Sequence, residues 1–81
     1  MQLLDHDSVN DRTGPRSREQ RWRDIRADRF PAPLKIETQN RWLADEIDSY
    51  IRWRIARRDG VTTIDKWSAW RDHDRGGQAA A

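Results

Sequence analysis

The stretch RFPAPLKIETQNRWLADEIDSYIRWRIARRDG, residues 29–60, sets a proline-bracketed segment and a polar turn between two arginine-rich blocks. Proline disfavours helical geometry in the residue before it, so Phe30-Pro31 ends whatever helix precedes it. PAPLKI then reads as extended, Glu37 to Asn40 as a turn and Arg41-Trp42-Leu43 as a return strand, which together make a small hairpin. From about Ala44 the period becomes helical. Ile47, Tyr50, Ile51 and Ile55 recur at three- and four-residue spacing, and Gly60 supplies a left-handed stop. Asp45 and Glu46 at the start of this helix suit the positive end of its dipole.

Toward the N-terminus, LDHDSVNDRT (residues 4–13) reads as a short helix capped by Asp5 and stopped by Gly14-Pro15, with Leu4 and Val9 as its core candidates. SREQ (residues 17–20) is a capping-box pattern, in which Ser17 and Gln20 each satisfy a free amide. The second helix is therefore expected from Ser17 to Asp28 or Arg29. Trp22 and Ile25, three apart, are expected to face inward, with Gln20, Arg21, Arg23, Asp24 and Ala27 on the outer arc. Toward the C-terminus, Thr62 or Thr63 opens a last helix with Ile64, Trp67 and Trp70 in a stripe. The expected fold class is mainly α with a small β-hairpin: one domain over residues 1–60, a helical extension over 61–74 and a disordered tail over 75–81.

Eighty-one residues allow one domain with a core of about a dozen side chains. With 35% hydrophobic and 37% charged residues the chain lies near the border of disorder, and its five tryptophans must supply much of the buried bulk. The absence of cysteine excludes a disulfide staple and thiolate metal sites, which points to a reducing, intracellular compartment. No apolar run approaches a membrane span and no signal-peptide pattern is present, so no membrane association is expected and the cytoplasm is the expected location. His6 and His73 are isolated, and no phosphate-cradling glycine loop or nucleophile arrangement exists. No catalytic activity, cofactor or metal is expected.

Net charge is only +2, yet it is segregated along the chain. Residues 1–11 carry three Asp and no base, whereas residues 12–29 hold seven Arg against Glu19, Asp24 and Asp28. Residues 30–51 are net acidic, and residues 52–58 carry four Arg and no acid. Blocks matter more than the total, because phosphate is neutralised locally. Fourteen of the sixteen bases are Arg, whose planar fork grips phosphates and guanine edges in pairs. A GC-rich genome explains an arginine bias, though not its clustering.

The order helix, turn, helix, hairpin, helix suits a winged helix-turn-helix with an extra C-terminal helix. On that reading Arg16, Ser17, Arg18, Gln20, Arg21 and Arg23 present the recognition helix to double-stranded DNA. Lys35, Thr38, Gln39, Asn40 and Arg41 form a wing on the adjacent backbone or minor groove. Arg52, Arg57 and Arg58, with Arg54, are candidate phosphate contacts, and a solvated helix end is the competing explanation. Phe30, Trp42, Ile47 and Ile51 are core candidates. Trp53, Trp67 and Trp70 pack the last helix onto the domain or contact a partner.

These segments resemble the AlpA and phage excisionase group, whose winged helix-turn-helix is related to MerR-type DNA-binding domains. The resemblance rests on Leu4, Thr13-Gly14, Ser17, DRFPAPLKI and WLADEID, and covers about residues 3–58. Arg21 and Asp24 stand where that group usually has aliphatic residues, the turn at Pro15-Arg16-Ser17 is one residue longer, and the helix with Trp67 and Trp70 lies beyond the common core. The resemblance implies a DNA-bending protein that binds repeated sites cooperatively and directs a phage integrase toward excision in a bacterial host. A transcriptional regulator of the AlpA type is the other form of it. A reading from another class is a protein-interaction adaptor that uses the tryptophan-bearing C-terminal helix and binds no DNA.

Overall fold

In the computed structural model, which describes residues 2–79, Asp5 fixes the first helix: its carboxylate accepts from the Ser8 amide at 2.8 Å. Helix α1 is His6–Thr13. Leu4, expected to begin that helix, instead joins Leu3 in a short strand, β1 (Leu3–Leu4). It is drawn out of the helix because Leu3 pairs with Leu43 and Leu4 with Trp42. Ser17 caps α2, Arg18–Arg26, with both halves of the capping box present. That helix ends two or three residues earlier than expected, because Asp28 adopts a left-handed backbone with φ of 58°.

Strands β2, Leu34–Ile36, and β3, Gln39–Leu43, form the hairpin around Glu37-Thr38. With β1 they make a three-stranded antiparallel sheet of order β1-β3-β2. Pleating sends alternate residues to opposite faces. Leu4 and Trp42 therefore enter the core, joined by Val9, Phe30, Ala44 and Ile47. The Trp42 indole N–H, which must find an acceptor when buried, donates to the Pro31 carbonyl at 2.9 Å. The proline-bracketed stretch thus supplies both the strand and the acceptor for its own tryptophan.

Helix α3, Ala44–Arg58, follows β3 without a side-chain cap, and the Ala44 amide donates instead to the Gln2 carbonyl at 2.9 Å. One face, with Ile47 and Ile51, meets the sheet core; a second, with Ser49, Trp53 and Ala56, meets helix α4, Trp67–Ala79. Tyr50 joins the two clusters, its ring 4.7 Å from Phe30 and 5.9 Å from Trp53. Ile55, expected in the inward stripe, is exposed, because α4 covers the Trp53 side of the helix.

Helix α4 begins at Trp67 rather than near Ile64, and it continues through residues 75–79 where a disordered tail is expected; Ala80 and Ala81 lie outside the described residues. Trp67 and Trp70 are buried against Trp53. Trp53 donates to the Ile64 carbonyl at 2.8 Å, and Trp70 to the Ser49 carbonyl at 3.0 Å. No described helix is long and apolar enough to cross a membrane.

Candidate functional site

A groove of about 370 Å³ runs between α2 and the hairpin. Arg18, Arg21 and Trp22 contribute from α2, and Thr38, Gln39, Asn40 and Arg41 from the hairpin. The N-terminal end of α1 closes it with Asp5, His6 and Asp7. β1 is only two residues long, and its pairing reaches no further along β3 than Trp42. Residues 39–41 of β3 therefore border the groove beyond the end of β1.

The candidate residues on α2 divide by role. Ser17 and Gln20 are occupied in the capping box, at 3.1 and 3.2 Å. Arg16 is tied to Asp24 at 2.8 Å, and Arg29 approaches the same carboxylate. Arg23 is exposed and pairs with Glu19 one turn earlier at 3.4 Å. Arg18 is exposed at the groove and forms no ion pair among the described residues.

Arg21 does not lie on the outer arc. It is 2% exposed, whereas Trp22, expected inward, is 39% exposed. Ile25 packs against the core as expected, and the second inward position of the helix is Arg21 instead of Trp22. The guanidinium of Arg21 donates to the Asn10 side chain and lies 4.3 Å from the centre of the Phe30 ring, which together compensate part of its desolvation. Burial lowers its pKa from the ordinary arginine value. Its Nε and His6 Nε2 are buried without a hydrogen-bond partner among the described residues, and both residues line the groove.

Asn10 is the hub that sequence reasoning missed. Its side chain exchanges hydrogen bonds with the Arg16 backbone, N–H and carbonyl, each at 3.3 Å, while it also receives Arg21. This clamps the turn between α1 and α2 and fixes how α2 is presented. The signal available in the sequence was an Asn four residues before Gly14, a type that bonds readily to nearby backbone.

The pleat splits the hairpin candidates. Lys35 pairs with Asn40 on the side of Trp42, and Gln39 and Arg41 lie on the opposite side with Ile36 and Leu34. Arg41 donates to the Gln39 side chain and to the Asn40 carbonyl, which holds its guanidinium on the hairpin. Thr38 to Arg41 line the groove; Lys35 is exposed outside its lining.

Two arginines of α3, Arg52 and Arg57, hold the C-terminal segment, whereas Arg58, among the described residues, does not bond to it. Arg52 pairs with Asp74 at 2.7 Å, Arg57 donates to the Ile64 carbonyl at 2.9 Å, and Arg58 binds its neighbour Asp59 at 2.8 Å. Burial works against the charged form of Asp74, yet hydrogen bonds from Ser49 and Arg52 outweigh it and lower its pKa. No protein-family model, curated protein or solved structure matches this chain. Among the described residues no group of three or more metal-ligating side chains occurs.

Proposed function

We propose that this chain binds double-stranded DNA as a winged helix-turn-helix protein, with α2 as recognition helix and the β2-β3 hairpin as wing. The observation that carries the reading is that Arg18 of α2 and Thr38 to Arg41 of the hairpin line one groove. A duplex needs such an arrangement, because a helix in the major groove and a hairpin on the neighbouring backbone must approach from the same side. The clamp at Asn10 supports it, since base contacts demand a fixed helix orientation. Arg18, Arg23 and Arg41 are the primary contacts; Ser17 and Gln20 act through the cap, and Arg21 acts as a core residue.

The resemblance to the AlpA and excisionase group narrows this to a DNA-bending excisionase that acts with a phage integrase, or to a transcriptional regulator using the same contacts. Bending a short site costs several kcal/mol, roughly 1–6, which further protein contacts must offset. The adaptor reading calls for tryptophans available on α4, and Trp67 and Trp70 are 3% and 8% exposed.

The test is fluorescence anisotropy with an end-labelled 30-base-pair duplex taken from the DNA flanking the coding sequence, titrated from low to moderate salt. Affinity should fall steeply as phosphate-bound counterions are replaced. No binding at low salt overturns the reading. A bend-permutation assay then separates the two forms: a bent complex favours the excisionase, an unbent one the regulator.

A further inference from the structure

Trp22 is the exposed member of the five tryptophans, at 39%; Trp42, Trp53, Trp67 and Trp70 are all 8% exposed or less. Three of the four buried ones donate their indole N–H to a backbone carbonyl, whereas Trp22 has no hydrogen-bond partner among the described residues. A small domain that needs its tryptophans for the core has left one on the surface. Its position is specific. Trp22 lies one turn after Arg18 and one turn before Arg26, so the three share a flank of α2, and both Arg18 and Trp22 line the groove facing the hairpin.

We infer that Trp22 is a specificity-determining residue that packs on the C5-methyl group of a thymine in the major groove, flanked by Arg18 on the phosphate or a guanine edge. This rests on the DNA reading above and adds what the arginines cannot supply. Arginine forks read guanine or hold phosphate, and neither distinguishes thymine. The thymine methyl is the one apolar feature of the major-groove edge, and an exposed indole beside a guanidinium is the complement to it. Burying Trp22 on DNA also removes the largest apolar group that α2 exposes.

Because the other four tryptophans are enclosed, Trp22 reports on itself. Acrylamide is neutral and quenches exposed indoles without altering the ionic strength that governs DNA binding. In the free protein the readily quenched emission should come from Trp22 and disappear in Trp22→Phe, whose fold is checked by circular dichroism. The first probe is a mixed-sequence 30-base-pair duplex at low salt. The second is the site recovered by the wild-type chain from a randomised duplex pool, remade with deoxyuridine in place of each thymine in turn.

The expected result has two parts. Saturation with the selected duplex protects the quenchable emission, and one thymine-to-uracil change weakens wild-type binding about fourfold, the worth of one buried methyl group. The same change leaves Trp22→Ala binding unaltered. If the duplex binds while Trp22 stays equally quenchable, or if every uracil change costs wild type and Trp22→Ala the same, the assignment of Trp22 is overturned and the DNA reading stands. If neither duplex binds at low salt, both fall.

Discussion

Asp28 caps a helix forty residues away: Oδ1 accepts from the Ser68 amide at 3.0 Å, and Oδ2 accepts from the Ser68 hydroxyl. The Asp28 carbonyl also receives the Trp67 amide at 2.7 Å. Asp28 stands just past α2 with φ of 58°, a conformation that Asp tolerates better than most side chains. The end of one helix is thereby tied to the start of another. Asp28→Ala removes the cap and should cost about 1 kcal/mol, within the range of about 0.5–2 for such losses. Urea unfolding followed by tryptophan emission measures the cost. Amide exchange should accelerate over α4 first, while DNA affinity of the folded fraction stays unchanged.

Arg21 and Asn10 separate a core role from a DNA role. Removing Asn10 leaves a buried charge without its neutral partner, so Asn10→Ala should destabilise by about 3 kcal/mol. Arg21→Leu removes the charge altogether and should be close to neutral, because an apolar replacement of a buried charge is often tolerated. Arg21→Leu should also bind DNA with wild-type affinity. A loss of binding in a folded Arg21→Leu protein would return Arg21 to the contact surface.

Asp74 makes the docking of α4 sensitive to acid. Its pKa is depressed in the folded state from the ordinary value of 3.8. The carboxylate therefore contributes stability that is fully present above that value and lost as pH falls through the folded pKa. The stability difference between wild type and Asp74→Asn should be constant near neutral pH and shrink below pH 3.8, as read by urea unfolding across a pH series.

The groove carries acid as well as base, and the two should act oppositely on DNA. Arg18→Ala should weaken binding to every duplex and lower the salt slope by about 1, the signature of one lost phosphate contact. Arg23→Ala should weaken binding without unfolding the chain, because Arg23 is exposed and its side chain is held, among the described residues, only by Glu19. Asp7, whose side chain is 93% exposed at the groove, repels phosphate. Asp7→Asn should tighten binding by less than tenfold, up to about 1 kcal/mol for one screened charge. Unchanged binding by Asp7→Asn would mean that DNA passes elsewhere.

Much of this architecture follows from local chemistry. The Ser17-Gln20 capping box, the Asp5 cap, the stop at Gly14 and the α3 run from Ala44 are each set by a few neighbouring residues, and each forms where the sequence places it. The hairpin follows from prolines that forbid helix and from alternating residues that fit a pleat. The surface facing the groove was legible only in part. On α2, both Arg21 and Trp22 are compatible with a buried or an exposed position when judged by amphipathic spacing alone. What decided between them was the placement of Asn10 and Phe30, one on another helix and one beyond the turn.

The sequence by itself determined the caps of α1 and α2, the start of α3, where the chain turns, and which blocks of charge travel together, because those depend on interactions within a few residues. Tertiary structure alone decided that Leu3–Leu4 join a sheet, that Arg21 goes inside while Trp22 stays out, and that Asp28 starts α4. Each of those depends on a partner far along the chain, and a buried amide, guanidinium or indole N–H takes whichever acceptor the packed fold brings within reach.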